Sequence, residues 1–100
     1  MAVATIAQIT DDISQVLPIY DTELYEDQLT MLVSGAISKL ESEGVPNVFD
    51  YQTFKYYDYI TCLRYQVACD MDLDIDIERL KAQYITRVNT LRCILSHQSN

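Results

Sequence analysis

Three observations predict an all-α fold, a small bundle of about four helices with one short at the N-terminus, three longer ones and no sheet core. Apolar residues recur at steps of three and four in four separate blocks, the period of a helix with one buried stripe. The 100 residues hold only two glycines and two prolines, Gly35, Gly44, Pro18 and Pro46. An all-β chain would need turn punctuation about every ten residues. The length suits one domain over residues 1–100, and 49% of the residues are apolar, enough for one core.

The first helix is expected from about Thr5 to Val16, with Ile6, Ile9, Ile13 and Val16 on one face. Thr5 and Gln8 have the spacing of a capping box, and Pro18 stops the helix. The second, about Thr22 to Glu43, places Tyr25, Leu29, Leu32, Val33, Ala36, Ile37 and Leu40 on an apolar stripe. Asp21 or Thr22 caps it, and Glu23, Glu26 and Asp27 lie where the helix dipole favours negative charge. Gly44 and then Pro46 end it.

A loop over 45–50 leads to Asp50, a suitable cap for a third helix from about Tyr51 to Cys69. Five of the eight tyrosines fall here. An inward stripe of Phe54, Tyr57, Ile60, Leu63 (or Arg64 beside it), Val67 and Met71 leaves Tyr56, Tyr59 and Tyr65 spread around the helix. Surplus tyrosines, each an apolar ring with a polar tip, suit a protein–protein interface. The fourth helix, about Ile77 to Ser96, carries a stripe of Ile77, Leu80, Tyr84, Val88, Leu91 and Leu95. At 100° per residue, Arg79 and Arg87 border one side of it and Lys81 and Arg92 the other. Residues 97–100 are expected to fray.

Charge is unevenly spread. Residues 1–50 carry nine acids and one base, Lys39, whereas residues 51–100 carry six of each, so the chain's net charge of −8 lies in its first half. After Glu78 only bases follow. Such a chain can attract copies of itself head to tail, or dock its basic end on an acidic partner. Direct DNA binding is disfavoured, because the net charge repels phosphates and four basic residues split between two flanks are a thin footprint.

The residues offer no cofactor or metal chemistry. Cys62, Cys69 and Cys93 sit in apolar helical contexts and read as buried reduced thiols. Zinc needs four ligands, and the one histidine is His97. The run Asp70-Met-Asp-Leu-Asp-Ile-Asp76 suggests a calcium loop. That loop, however, requires glycine at its sixth position and glutamate at its twelfth. Counted from Asp70 those positions hold Ile75 and Lys81, and from Asp72 Ile77 and Gln83. A simpler account has Asp70 ending one helix and Asp74 or Asp76 capping the next. No nucleophile–base pairing, phosphate loop or dinucleotide fingerprint is present, so no enzyme is expected. No segment has the length of a membrane span or the pattern of a secretory leader, which predicts a cytoplasmic protein.

Several of these segments together carry a family resemblance: Tyr20-Asp-Thr-Glu23, Lys39-Leu-Glu-Ser-Glu-Gly-Val-Pro46, the tyrosine-rich helix, and Gln83-Tyr-Ile-Thr-Arg-Val-Asn-Thr-Leu-Arg-Cys93. Over about residues 19 to 95 the chain resembles the head–tail connector proteins of long-tailed bacteriophages, also called head-completion or DNA-packaging adaptor proteins. The resemblance implies a small helical protein forming a ring, usually a dodecamer, beneath the portal protein in the virion neck. Assembly would take place in the host cytoplasm. The ring would extend the channel through which DNA passes without sequence-specific binding, and would offer a docking surface to the next neck or tail-completion protein.

On that reading Glu23, Glu26 and Asp27 form an acidic surface, facing the lumen in one arrangement, and like charge lets DNA slide. Tyr56, Tyr59 and Tyr65 serve contacts between copies, and Arg79, Arg87 and Arg92 meet the portal or a neighbouring copy. The competing expectation is an acidic inhibitor that mimics DNA and binds a nucleic-acid enzyme. Its mark would be a row of carboxylates at phosphate spacing, whereas Glu23, Glu26, Asp27, Glu41 and Glu43 cluster at the two ends of one helix.

Overall fold

The computed structural model describes residues 2–17, 22–71 and 76–98, and the side chains of all of these except 22–26, 97 and 98. Four helices follow in order: α1 (Ile6–Val16), α2 (Thr22–Ser42), α3 (Phe54–Met71) and α4 (Ile77–Gln98). The described residues contain no strand, only an isolated antiparallel bridge between Val3 and Asp50. The all-helical expectation holds. The radius of gyration is 13.1 Å, the value of about 13 Å expected for one folded domain of this length.

Local chemistry accounts for most helix ends. The Thr5 hydroxyl accepts the Gln8 backbone N–H at 3.2 Å while the Gln8 side chain accepts the Thr5 N–H at 2.9 Å, a capping box at the start of α1. At the end of α2, the Val45 N–H donates to the Leu40 carbonyl and the Gly44 N–H to the Glu41 carbonyl, at 2.9 and 3.1 Å. This is a Schellman stop. It requires left-handed backbone at Gly44, where φ is +93°, and it packs buried Val45 beside buried Leu40. Asp76 caps α4 by accepting the Arg79 N–H at 3.1 Å. Of the alternative caps, Asp74 and Asp21 lie outside the described residues.

The start of α3 differs from the sequence expectation. The helix begins at Phe54, not Tyr51, and its cap is Thr53, whose hydroxyl accepts the Tyr56 N–H at 3.3 Å. Asp50 is held instead in a turn, its carbonyl accepting the Thr53 N–H and hydroxyl. That turn passes through Gln52 with φ +65° and is pinned to the N-terminal segment by the Tyr51 N–H on the Ala2 carbonyl at 2.9 Å. At the other end α4 runs two residues past Ser96, to Gln98.

The core joins all four helices and the 45–53 loop. Ile9 and Ile13 of α1, Leu29, Val33, Ala36 and Leu40 of α2, and Val88 and Leu91 of α4 are buried on the predicted stripes. Ile77, Leu80, Tyr84 and Leu95 pack against that core half-buried. Ile6 and Val16, at the ends of the α1 stripe, are exposed.

The α3 stripe is corrected. Tyr56 and Tyr59, expected outside, are 0% exposed, while Phe54 and Tyr57, expected inside, are 92% and 49% exposed. The cause is that α3 packs against all three other helices, so its buried face widens to take in Cys62, Leu63, Gln66, Val67 and Ala68. The loop before it closes the remaining side. Phe49 is buried with its ring 5.4 Å from that of Tyr59, and Tyr51 stands edge-on to Tyr56 at 5.0 Å. Each ring takes on the order of 150–250 Å² out of water, so two fully buried tyrosines in a three-sided core outweigh a phenylalanine left in solvent and a tyrosine left half-exposed.

Candidate functional site

The polar chemistry of the molecule concentrates where α3 and α4 run antiparallel. Several side-chain contacts cross between them. The Arg64 Nη2 donates to Gln83 Oε1 at 2.7 Å, Arg87 and Asp58 form an ion pair at 3.1 Å, and the rings of Tyr65 and Tyr84 lie 4.8 Å apart, tilted by 31°. The end of α2 joins them at Glu43. Its carboxylate accepts the Tyr84 hydroxyl, and its backbone carbonyl accepts Arg92 Nε. That cation meets the negative end of the α2 dipole, a favourable pairing. Burial and the hydrogen bond to Glu43 push the Tyr84 hydroxyl up to about 12.

These contacts redistribute the residues proposed from sequence. Tyr56 and Tyr59 are interior and not surface, so the expectation that they contact another molecule is corrected. Their hydroxyls have different fates. Tyr56 donates to Asp12 across to α1, whereas the Tyr59 hydroxyl is buried with no hydrogen-bond partner among the described residues. Tyr65 is half-buried against Tyr84. Arg87 and Arg92 are engaged with Asp58 and Glu43, which leaves Arg79 as the member of that trio whose side chain faces a concavity. Among the acids, Asp27 is exposed on α2, and the side chains of Glu23 and Glu26 fall outside the described residues.

The cysteine expectation is also corrected. Cys62 alone is buried, with its thiol pushed up to about 12 by desolvation, while Cys69 and Cys93 are exposed, and all three are free. Among the described residues no group of three or more His, Cys, Asp and Glu side chains is gathered as a metal ion would require. No described helix is long and apolar enough to cross a membrane.

Among the concavities formed by the described residues, two stand out on the surface. One, about 400 Å³, lies at the start of α3 beside the exposed Val48 and Phe54. The other, about 270 Å³, lies between the end of α1 and the start of α4 and is lined by Val16, Arg64, Asp76, Arg79, Leu80 and Gln83. Arg64 is the residue that sequence reasoning undervalued. Placed only as a neighbour of Leu63 in the apolar stripe, it is half-buried, and burial together with the field of Arg79 lowers its affinity for its proton. A usable signal was present: a guanidinium among Ile60, Leu63 and Val67 must find acceptors, since burying an unpaired charge is costly.

Scans against protein families, curated proteins and solved structures find no match to this chain.

Proposed function

We propose that this chain is a non-enzymatic assembly protein serving as a head–tail connector of a tailed bacteriophage. Copies would form a ring under the portal, extend the DNA channel and receive the next neck or tail-completion protein. The observation that carries the reading is the charge arrangement on an all-helical scaffold. A chain of net charge −8 keeps Asp27 exposed on α2, while the cations Arg64 and Arg79 gather at the start of α4. Acidic and basic surfaces on separate helices suit contacts between copies or with a partner ring, and an acidic lumen lets DNA slide. The resemblance of residues 19 to 95 to connector proteins supplies the specific role.

Arg79 is the cation to test for portal contact, because Arg87 and Arg92 also support the fold through Asp58 and Glu43. The experiment mixes purified protein with the portal ring of the phage that would carry it and examines the mixture by electron microscopy and native mass spectrometry. Added ring density below the portal is expected, and it weakens with Arg79→Glu. Absence of any association would remove the connector role. Capture of a nuclease or other nucleic-acid enzyme in its place would favour the acidic inhibitor.

A further inference from the structure

We infer that the concavity between Arg64 and Arg79 is a binding site for a short acidic peptide segment, one carboxylate side chain flanked by an aliphatic residue. The inference does not require the connector role, since any partner presenting such a segment would serve.

The groove is the chemical exception on this molecule. In a chain with fifteen acids and seven Lys and Arg residues, it brings two guanidiniums from different helices to one small depression. The carboxylate on its wall, Asp76, already accepts the Arg79 backbone N–H as the α4 cap. Arg64 is held in place by Gln83 through Nη2, and its Nε is buried without a hydrogen-bond partner among the described residues. A planar guanidinium so anchored is fixed in orientation, and with Nε enclosed its terminal Nη groups are the donors left for a carboxylate, a charge-assisted contact that Arg favours. An entering anion would also lie at the start of α4, where the helix dipole favours negative charge. Its charge would add to that of Asp76 in offsetting the repulsion that Arg79 exerts on Arg64.

Size and lining narrow the ligand further. A space of about 270 Å³ holds one or two side chains, not a folded surface. Its walls include exposed Val16 and half-buried Leu80, which a neighbouring aliphatic side chain would cover. A nucleic acid fits less well. Two cations neutralise few phosphates, and the chain's net negative charge opposes an extended polyanion.

The test uses fluorescence anisotropy with a fluorescein-labelled Glu-Leu-Glu-Ile-Glu peptide and its Gln-for-Glu counterpart, at low and at physiological salt. The acidic peptide is expected to bind, and the Gln peptide at least tenfold more weakly. Arg79→Gln should weaken the acidic peptide at least tenfold with the thermal midpoint of the protein unchanged. Lys81→Gln, exposed on the same helix but outside the groove, should leave binding within twofold. No detectable binding would overturn the inference, as would equal binding of the Gln peptide or equal loss in the two variants. Displacement of the peptide by low-millimolar inorganic phosphate would also overturn it, since the groove would then take simple anions without reading the aliphatic neighbour.

Discussion

Helices α3 and α4 are of similar length and lie side by side, yet they are built on different plans. α4 buries one narrow stripe through Val88 and Leu91 and keeps both borders polar. α3 packs against the other three helices and buries two tyrosines, a cysteine and a glutamine along with its aliphatic residues. A helix at the edge of a bundle shows its partner as a periodic stripe. One at the centre has no single stripe to show, and its polar residues must find interior partners. In this molecule the central helix buries the larger face, and the edge helix keeps Arg79 and Lys81 on its exposed borders.

That division can be broken most forcefully at Leu63, which has no exposure. Leu63→Ala should cost about 2–5 kcal/mol of unfolding free energy in denaturant titration, through lost burial and the cavity left behind. The same substitution at Leu80 on α4, half-buried at the groove, should cost clearly less.

Alkaline pH should separate the two helices next. Tyr84 has a folded-state pKa of about 12 against an ordinary value of 10.0, and Tyr56 and Tyr59 are raised further by burial. Groups that hold their protons more tightly when folded stabilise the fold fully below pH 10. That contribution is lost as pH rises through the folded values. Thermal midpoints measured from pH 9 to 12 should therefore fall, and Tyr84→Phe should flatten only the part due to α4.

Tyr56→Phe should remove the hydroxyl that joins α3 to Asp12 of α1 and cost about 1–2 kcal/mol, since it leaves a partly buried carboxylate without its donor. The smallest of these losses is expected at Arg87, whose ion pair with Asp58 is partly exposed. Arg87→Gln should cost less than about 1 kcal/mol, and the difference should shrink in high salt.

The same contrast explains what was legible in the sequence. Helices α1, α2 and α4 declare themselves through period, caps and stops: Thr5 with Gln8, Gly44 before Pro46, and Asp76 before Ile77 all act as their chemistry predicts. α3 misleads for two reasons. Tyrosine fits a core edge and an interface equally well, so counting surplus rings does not decide between them. The loop that covers Tyr59 with Phe49 is a tertiary arrangement that no local period encodes. The groove was half visible, because Arg79 follows from the α4 pattern. Arg64, by contrast, reaches it only because α3 and α4 run antiparallel with residue 64 opposite residue 83.

The most direct test of the interior placement of the α3 tyrosines is the unfolding free energy of Tyr59→Phe, measured beside Tyr56→Phe. The Tyr59 hydroxyl is buried without a partner among the described residues, so removing it should leave stability unchanged or raise it by up to about 1 kcal/mol, while Tyr56→Phe lowers it. A loss at Tyr59 equal to that at Tyr56 would contradict the account, as would no effect at either position, the result expected of tyrosines on the surface.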